Sequence, residues 1–297
     1  MRMASVSRTK ANRYPRPTGR HQAAASRLRT NLRSSGRTIF PMLLIMLCLI
    51  HPAHAANFTC AGGDVACLIA AMNAANANGQ ANTISLAAGT YVLTTPDNNN
   101  TDGPNGLPSV TGSLIIAGAG DELTSIVRDP TAPGFRLLHI AATGRLTLRG
   151  VTLHAGDIGN LDAGGLINRG TVAIMDCTIA NNILHSGSGA GLMNAGAMSI
   201  TDTTISHNST NEHAGGILNT GSLNVTNSLF DGNVGSEGFG AIANVGGTVT
   251  IDTTTVRNNT SGMENFGGGI ANLSGTVTIT RSAVIGNHAV ELVACNR

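Results

Sequence analysis

The sequence contains no Trp and only 3 % aromatic residues, and just 11 % of its 297 residues are charged. Enzymes of this length usually bury several large rings. Here the core must come from Leu, Ile, Val and Ala, which excludes a broad irregular interior and favours a thin, repetitive one. The only Lys is Lys10. No Cys-x-x-Cys, phosphate-binding loop, HExxH or Ser-His-Asp arrangement is present, so the common zinc, nucleotide and serine-hydrolase chemistries have no motif to rest on.

Charge is unevenly distributed. Ten basic residues and no acidic one precede residue 57; beyond it sixteen carboxylates face eight Arg, leaving −8. An acidic, Lys-free surface repels phosphate, which argues against nucleic acid as a partner. The apolar run at residues 39–50 (IFPMLLIMLCLI) is too short to span a bilayer. Basic residues precede it and Ala53-His54-Ala55 follows, the pattern of a secretory signal cleaved after Ala55. Residues 1–55 therefore read as a signal with a long basic region, 56–81 as an N-terminal capping segment and 82–297 as the repeat domain. The mature chain is expected to lack a transmembrane segment and to act outside the cell or on the outer-membrane surface. Export implies an oxidising compartment. There Cys60 and Cys67, which flank a Gly-Gly-Asp turn, are placed to form a local disulfide, while Cys177 occupies a repeat position otherwise held by Thr or Ser.

What the sequence has is Gly, 38 of them, and an internal repeat. Five segments align: GGLINRGTVAIMDCTIANN from Gly164, AGLMNAGAMSITDTTISHN from Ala190, GGILNTGSLNVTNSLFDGN from Gly215, GAIANVGGTVTIDTTTVRNN from Gly240 and GGIANLSGTVTITRSAVIGN from Gly268. Their first Asn residues (Asn168, Asn194, Asn219, Asn244, Asn272) step by 26, 25, 25 and 28 residues. The closing Asn residues (Asn182, Asn208, Asn233, Asn259, Asn287) step similarly. Apolar residues alternate between them, as in Val172/Ile174, Met198/Ile200, Leu223/Val225, Val249/Ile251 and Val277/Ile279, then recur at Ile179, Ile205, Phe230, Val256 and Val284. A third set follows the Gly pair: Leu166, Leu192, Ile217, Ile242 and Ile270.

A period near 25 residues, with three short strands and no helix, is one coil of an all-β, right-handed, single-stranded parallel β-helix. Apolar residues point inward in columns, and Asn at the turns bonds neighbouring backbone. Leu146, Leu148 and Leu153 extend the columns upstream, as do Leu114/Ile116 and Ile84/Leu86, giving about eight coils. Residues 98–108 form a flexible excursion between the first two. Asp64 caps a short helix carrying Val65, Leu68, Ile69 and Met72, which Gly79 stops and which plugs the N-terminal end. No equivalent cap follows the last repeat, so the final coil is either open or covered by a second copy.

The segment CLIAAMNAANANGQANTISLAAGTYVL resembles the N-terminal module of bacterial secreted β-helix proteins of the pectate-lyase-like superfamily. The repeats are similar to those of polymorphic outer-membrane proteins, whose GGA[ILV] and FxxN elements are represented here by GGIL, GGIA and the stretch from Phe230 to Asn233. The resemblance covers roughly residues 58–290. It implies an adhesin-like surface protein or a carbohydrate-active enzyme. No translocator barrel is expected from the residues after the repeats.

Lyases and hydrolases on such a fold require clustered carboxylates, often with calcium and a basic residue. Arg169, Arg257 and Arg281 fall at different coil positions. Asp176 and Asp202 share a position with Asn227, Thr253 and Arg281, which reads as a corner. The loops before each Gly pair are richer, with Asp157, Asp162, His185, Glu212, His213, Glu237 and Glu264. Glu212 and Glu237 each lie three residues before their Gly and are expected one rung apart, where mutual repulsion invites a cation such as calcium; His213 is beside them. His139 and His154 lack a carboxylate neighbour in sequence and read as surface residues. Phe230 belongs to the core, whereas Phe239 and Phe266, in the variable loops, are expected exposed. The favoured reading is a non-catalytic, adhesin-like β-helix that binds a polysaccharide or cell-surface partner along a polar loop face. A polysaccharide lyase or glycoside hydrolase is the alternative, and a third reading makes the chain a fragment of a longer repeat protein.

Overall fold

A computed structural model describes residues 55–262 and 267–289. The signal segment, Glu264, Phe266 and Cys295 lie outside these residues.

The described chain is a parallel β-helix of about nine turns with one α-helix. Its broadest face stacks Asn57–Cys60, Ala81–Leu86, Ser113–Ala117, Arg145–Arg149, Thr171–Met175, Ala197–Thr201, Ser222–Thr226, Ile242–Asp252 and Ile270–Thr280. Asn57–Cys60 is a rung beyond the eight that the repeat predicts; Phe58 pairs with Ile84 across it. The repeat reads as three strands per coil, but in the regular part a two-residue fourth follows the closing Asn. Ile183–Leu184, Ser209–Thr210, Val234–Gly235, Thr260–Ser261 and His288–Ala289 form that additional sheet. Strands this short leave too little periodicity to read from sequence.

The columns have the predicted register. Val172, Met198, Leu223 and Val249 are successive Cα partners, as are Ile179, Ile205, Phe230 and Val256. All eight are at most 2 % exposed. The helix Val65–Asn78 begins at Asp64, whose carboxylate accepts the Cys67 N–H at 2.9 Å, and ends at Gly79, with φ 67°. Leu68, Ala71, Met72 and Ala75 bury its inner face. A disulfide joins Cys60 to Cys67, tying the first rung to this helix. Residues 98–108 are more tightly held than a flexible excursion would be. Asn98–Asn100 pairs antiparallel with Gly103–Asn105, and Asn105 and Leu107 are fully buried.

Three columns of polar side chains hold the corners. The first runs Asn168, Asn194, Asn219, Asn244, Asn272, each Nδ2 donating to the next Oδ1 at 2.8 Å. Two residues on, a Gly column packs backbone against backbone: a Cβ at Gly196 would lie 2.1 Å from the Gly170 carbonyl oxygen. The second column runs Asn182, Asn208, Asn233, Asn259, Asn287. Here each Oδ1 accepts both the backbone N–H and the Nδ2 of the Asn one coil earlier, at 2.8–3.1 Å. The third is a hydroxyl column at Thr203, Ser228, Thr254 and Ser282. Each hydroxyl donates to the carbonyl two residues before it and accepts the backbone N–H of the coil below. Cys177 heads that column as a buried free thiol, pushed up to about 12 by desolvation.

The corner beside the hydroxyl column is left-handed. Asp176, Asp202, Asn227, Thr253 and Arg281 have φ between 47° and 51°. Asp and Asn tolerate this region; a β-branched Thr does not. Thr253→Asn should therefore raise unfolding stability by about 1 kcal/mol. Asn233→Ala should lower it by about 3 kcal/mol, because the buried Asn208 backbone N–H loses its acceptor and the column is interrupted. Urea denaturation of the two variants checks both signs, and a neutral Asn233→Ala would contradict the role given to the column.

Candidate functional site

Among the described residues, the loop before Gly240 does not stand free. The residue following the inward Leu or Ile is itself apolar in each repeat: Ile167, Met193, Leu218, Ala243, Ala271. The loop carrying Phe239 folds back over Leu218, Ala243 and Ala271. Phe239 is only 2 % exposed and forms a second small core with Ala214 and Ala243, against which Leu218 and Ala271 pack. This overturns the expectation that Phe239 is exposed. The signal is present in LIN, LMN, ILN and IAN, where two adjacent apolar residues break strand alternation and mark burial on both faces.

This packing separates the predicted loop residues. Glu237 donates its backbone N–H to the Glu212 carbonyl at 3.2 Å, so the two do sit one rung apart. Glu237 is exposed and Glu212 half-buried. His213 turns instead to Phe239, ring centroids 5.5 Å apart. Asp162 fixes its loop by accepting the Ser188 N–H at 2.7 Å. His185 lies 3.8 Å from Asp157. Among the described residues no three His, Cys, Asp or Glu side chains are grouped to hold a metal ion. Glu264 lies outside those residues.

Two charged groupings do form, both from residues that neither spacing nor motif connects. In the first, Asp102 at the tip of the antiparallel hairpin receives Arg169 through both of its carboxylate oxygens and His139 Nε2 at 3.1 Å. Arg169 holds the Asp102 carboxyl below the usual range. His139 is 6 % exposed rather than a surface residue, because its carboxylate partner is 37 positions away in sequence. Burial pushes the imidazole below its ordinary pKa, with Arg136 and Arg169 adding to the effect and Asp102 opposing it. Arg136 is fully buried beneath them. Its guanidinium donates to Asn105 Oδ1 and to the carbonyls of Asp102, Asp162 and Ala163, at 2.6–3.0 Å. Burial lowers this group to about 10. Arg136 thus clamps the hairpin and the loop of the following coil to the β-helix.

The second grouping surrounds a cavity of about 410 Å³ lined by Arg128, Pro130, His154, Ala155, Asp157, Asn181, Ile183 and His185. Arg128 is 7 % exposed and donates to Asp157 at 3.1 Å and to the Asp129 carbonyl at 2.7 Å. Asp157 also accepts the Gly159 N–H at 2.8 Å. Arg128 Nε and His154 Nδ1 are buried without a hydrogen-bond partner. His154 is thus a wall of this cavity, half-buried rather than on an open surface.

Away from these groupings, two further ion pairs form. Asp231 holds Arg257 at 2.8 Å and Asp252 holds Arg281. The outer side of the broad face carries Arg145 and Arg149 in its fourth strand and is nearly uncharged beyond it. Over its last five strands it presents Thr171, Ser199, Thr201, Ser222, Asn224, Thr226, Thr248, Thr250, Thr276, Thr278 and Thr280, together with Ala173, Met175 and Ala197, and Asp252 is the one charged residue. A shallow groove of about 130 Å³ runs across Thr171, Ala197, Ser199, Ser222 and Asn224.

The buried His139 makes the hairpin clamp pH-dependent. Its folded-state pKa lies below the ordinary 6.5, so the unfolded chain takes up the proton first. Its stabilising contribution is complete above pH 6.5 and is lost as pH falls below it. The lowered Asp102 acts in the same direction at lower pH, losing its contribution below about 3.8. Thermal midpoints of the wild type should fall between pH 7 and 5, and His139→Gln should flatten that slope. Superimposable profiles would contradict the assignment.

No protein-family profile, no curated protein and no solved structure matches the chain.

Proposed function

We propose that the protein is an exported, non-catalytic, adhesin-like scaffold that binds an extended glycan or cell-surface partner along the hydroxyl-rich outer side of its broad face. The carrying observation is the in-register array of Thr, Ser and Asn over five successive strands, broken by Ala173, Met175 and Ala197 on the first two strands and by a single charged residue, Asp252, already paired with Arg281. Parallel strands repeat at about 4.8 Å, so like side chains recur along the axis at a fixed pitch. Such a surface suits a long partner with many weak polar contacts better than a single reacting group. The predicted loop face serves this purpose less well, since the loop carrying Phe239 is occupied by its own packing over Leu218, Ala243 and Ala271.

Export is supported by the sequence pattern ending at Ala55. Among the described residues no helix is long and apolar enough to cross a membrane. The resemblance to secreted β-helix proteins and outer-membrane repeats points the same way.

The test is retention of the purified protein on insoluble polysaccharides and on whole cells. Ser199→Arg with Thr250→Arg places two long charged side chains on the array without touching the core. The double variant should keep its thermal midpoint and lose most of its retention. Retention unchanged by the double variant, or release of unsaturated products or new reducing ends from a polymer, would refute the reading; the second outcome would establish the enzyme instead.

A further inference from the structure

The cavity beside Arg128 has no part in the broad face, and its wall chemistry is of a different kind. Four ionisable side chains converge on it: Arg128, His154, Asp157 and His185. Arg128 and Asp157 neutralise one another at 3.1 Å, so the wall offers both donors and acceptors with little net charge. Hydrogen-bonding capacity is left over. A carboxylate offers about four lone-pair sites, more than the Asp157 contacts use. Pro130, Ala155 and Ile183 supply the apolar part of the lining, and Ile183 is 48 % exposed at its edge. A volume of about 410 Å³ falls in the small-molecule range of about 300–1,000 Å³.

We infer that this cavity is a binding site for a neutral sugar residue. An anion would meet the Asp157 carboxylate and a cation the Arg128 guanidinium. Vicinal hydroxyls, each able to donate and accept, match the paired charges without opposing either. The C–H face of the ring packs on Ile183 and Pro130. The inference deepens the scaffold reading, on which it rests, by naming a ligand class and a second place of contact.

Calorimetric titration of the purified protein with the methyl glycosides of glucose, galactose, mannose and N-acetylglucosamine tests it, with galacturonate and glucosamine as charged comparisons. At least one neutral glycoside should bind saturably and more tightly than either charged sugar. Asp157→Asn and the rim variant Ile183→Arg should each weaken it about tenfold or more. Ile183 is exposed, so that variant keeps the core intact even where Asp157→Asn disturbs the Arg128 pair. Absence of saturable binding by every neutral glycoside, preference for a charged sugar, or full affinity in Ile183→Arg would overturn the inference. The Ser199→Arg, Thr250→Arg variant should bind the glycoside normally. Polymer retention lost in that variant, with no glycoside entering the wild-type cavity, would remove the inference and leave the scaffold reading standing.

Discussion

The hydrogen bond from one Asn side chain to the equivalent Asn of the next coil is the constraint on which the rest of the structure depends. A β-helix turns its backbone sharply at each corner, and a corner donor left without a partner inside the protein costs about 1–3 kcal/mol. The closing Asn column removes that cost at every coil it spans. Asn208, for example, receives its own partner from Asn233 through two bonds to one oxygen, while its amide reaches back to the Ile179 carbonyl. No other residue combines an acceptor and two donors on so short a side chain. The chain of amides also fixes register. A slip of one residue would break this column together with the apolar one, since Phe230 and Asn233 are three positions apart.

The columns explain why so much of the fold is legible in the sequence and why certain parts are not. A position constrained by its equivalents above and below repeats in sequence, so Val172, Met198, Leu223 and Val249 align by their spacing alone. Parts that occur once carry no such signal. Asn57–Cys60 is a rung separated from the next by a helix, and nothing in four residues announces it. The hairpin around Asp102 reads as a flexible excursion because Arg136, His139 and Arg169, which hold it, lie 34, 37 and 67 positions away. The loop packing is partly readable. Adjacent apolar residues in each LIN-type segment indicate burial on both sides, and that signal outweighs the polar composition of the loops.

The candidate sites follow the same division. Loop residues such as Glu212, His213 and Glu237 occur at near-equivalent positions, which makes them visible in the repeat, yet His213 packs against Phe239. The cavity draws on Arg128, His154, Asp157 and His185 from three successive coils at non-equivalent positions. No periodicity relates them. Repetition in this protein therefore marks scaffold, and departures from it mark places where individual side chains come together. The broad face is the exception. There the repeat itself is the feature, because an extended partner is met by a surface with the same periodicity.

The central claim is that the Asn side chains form continuous buried hydrogen-bonded columns along the axis. Hydrogen exchange of the Asn side-chain amides, read by NMR with selectively labelled Asn, tests it most directly. Asn194, Asn208, Asn219 and Asn233 should give resolved amide pairs, protected far beyond solvent-exposed Asn, with cross-relaxation from each residue to its equivalent 25 or 26 positions away. Rapid exchange, or cross-relaxation absent between those equivalents, would contradict the account.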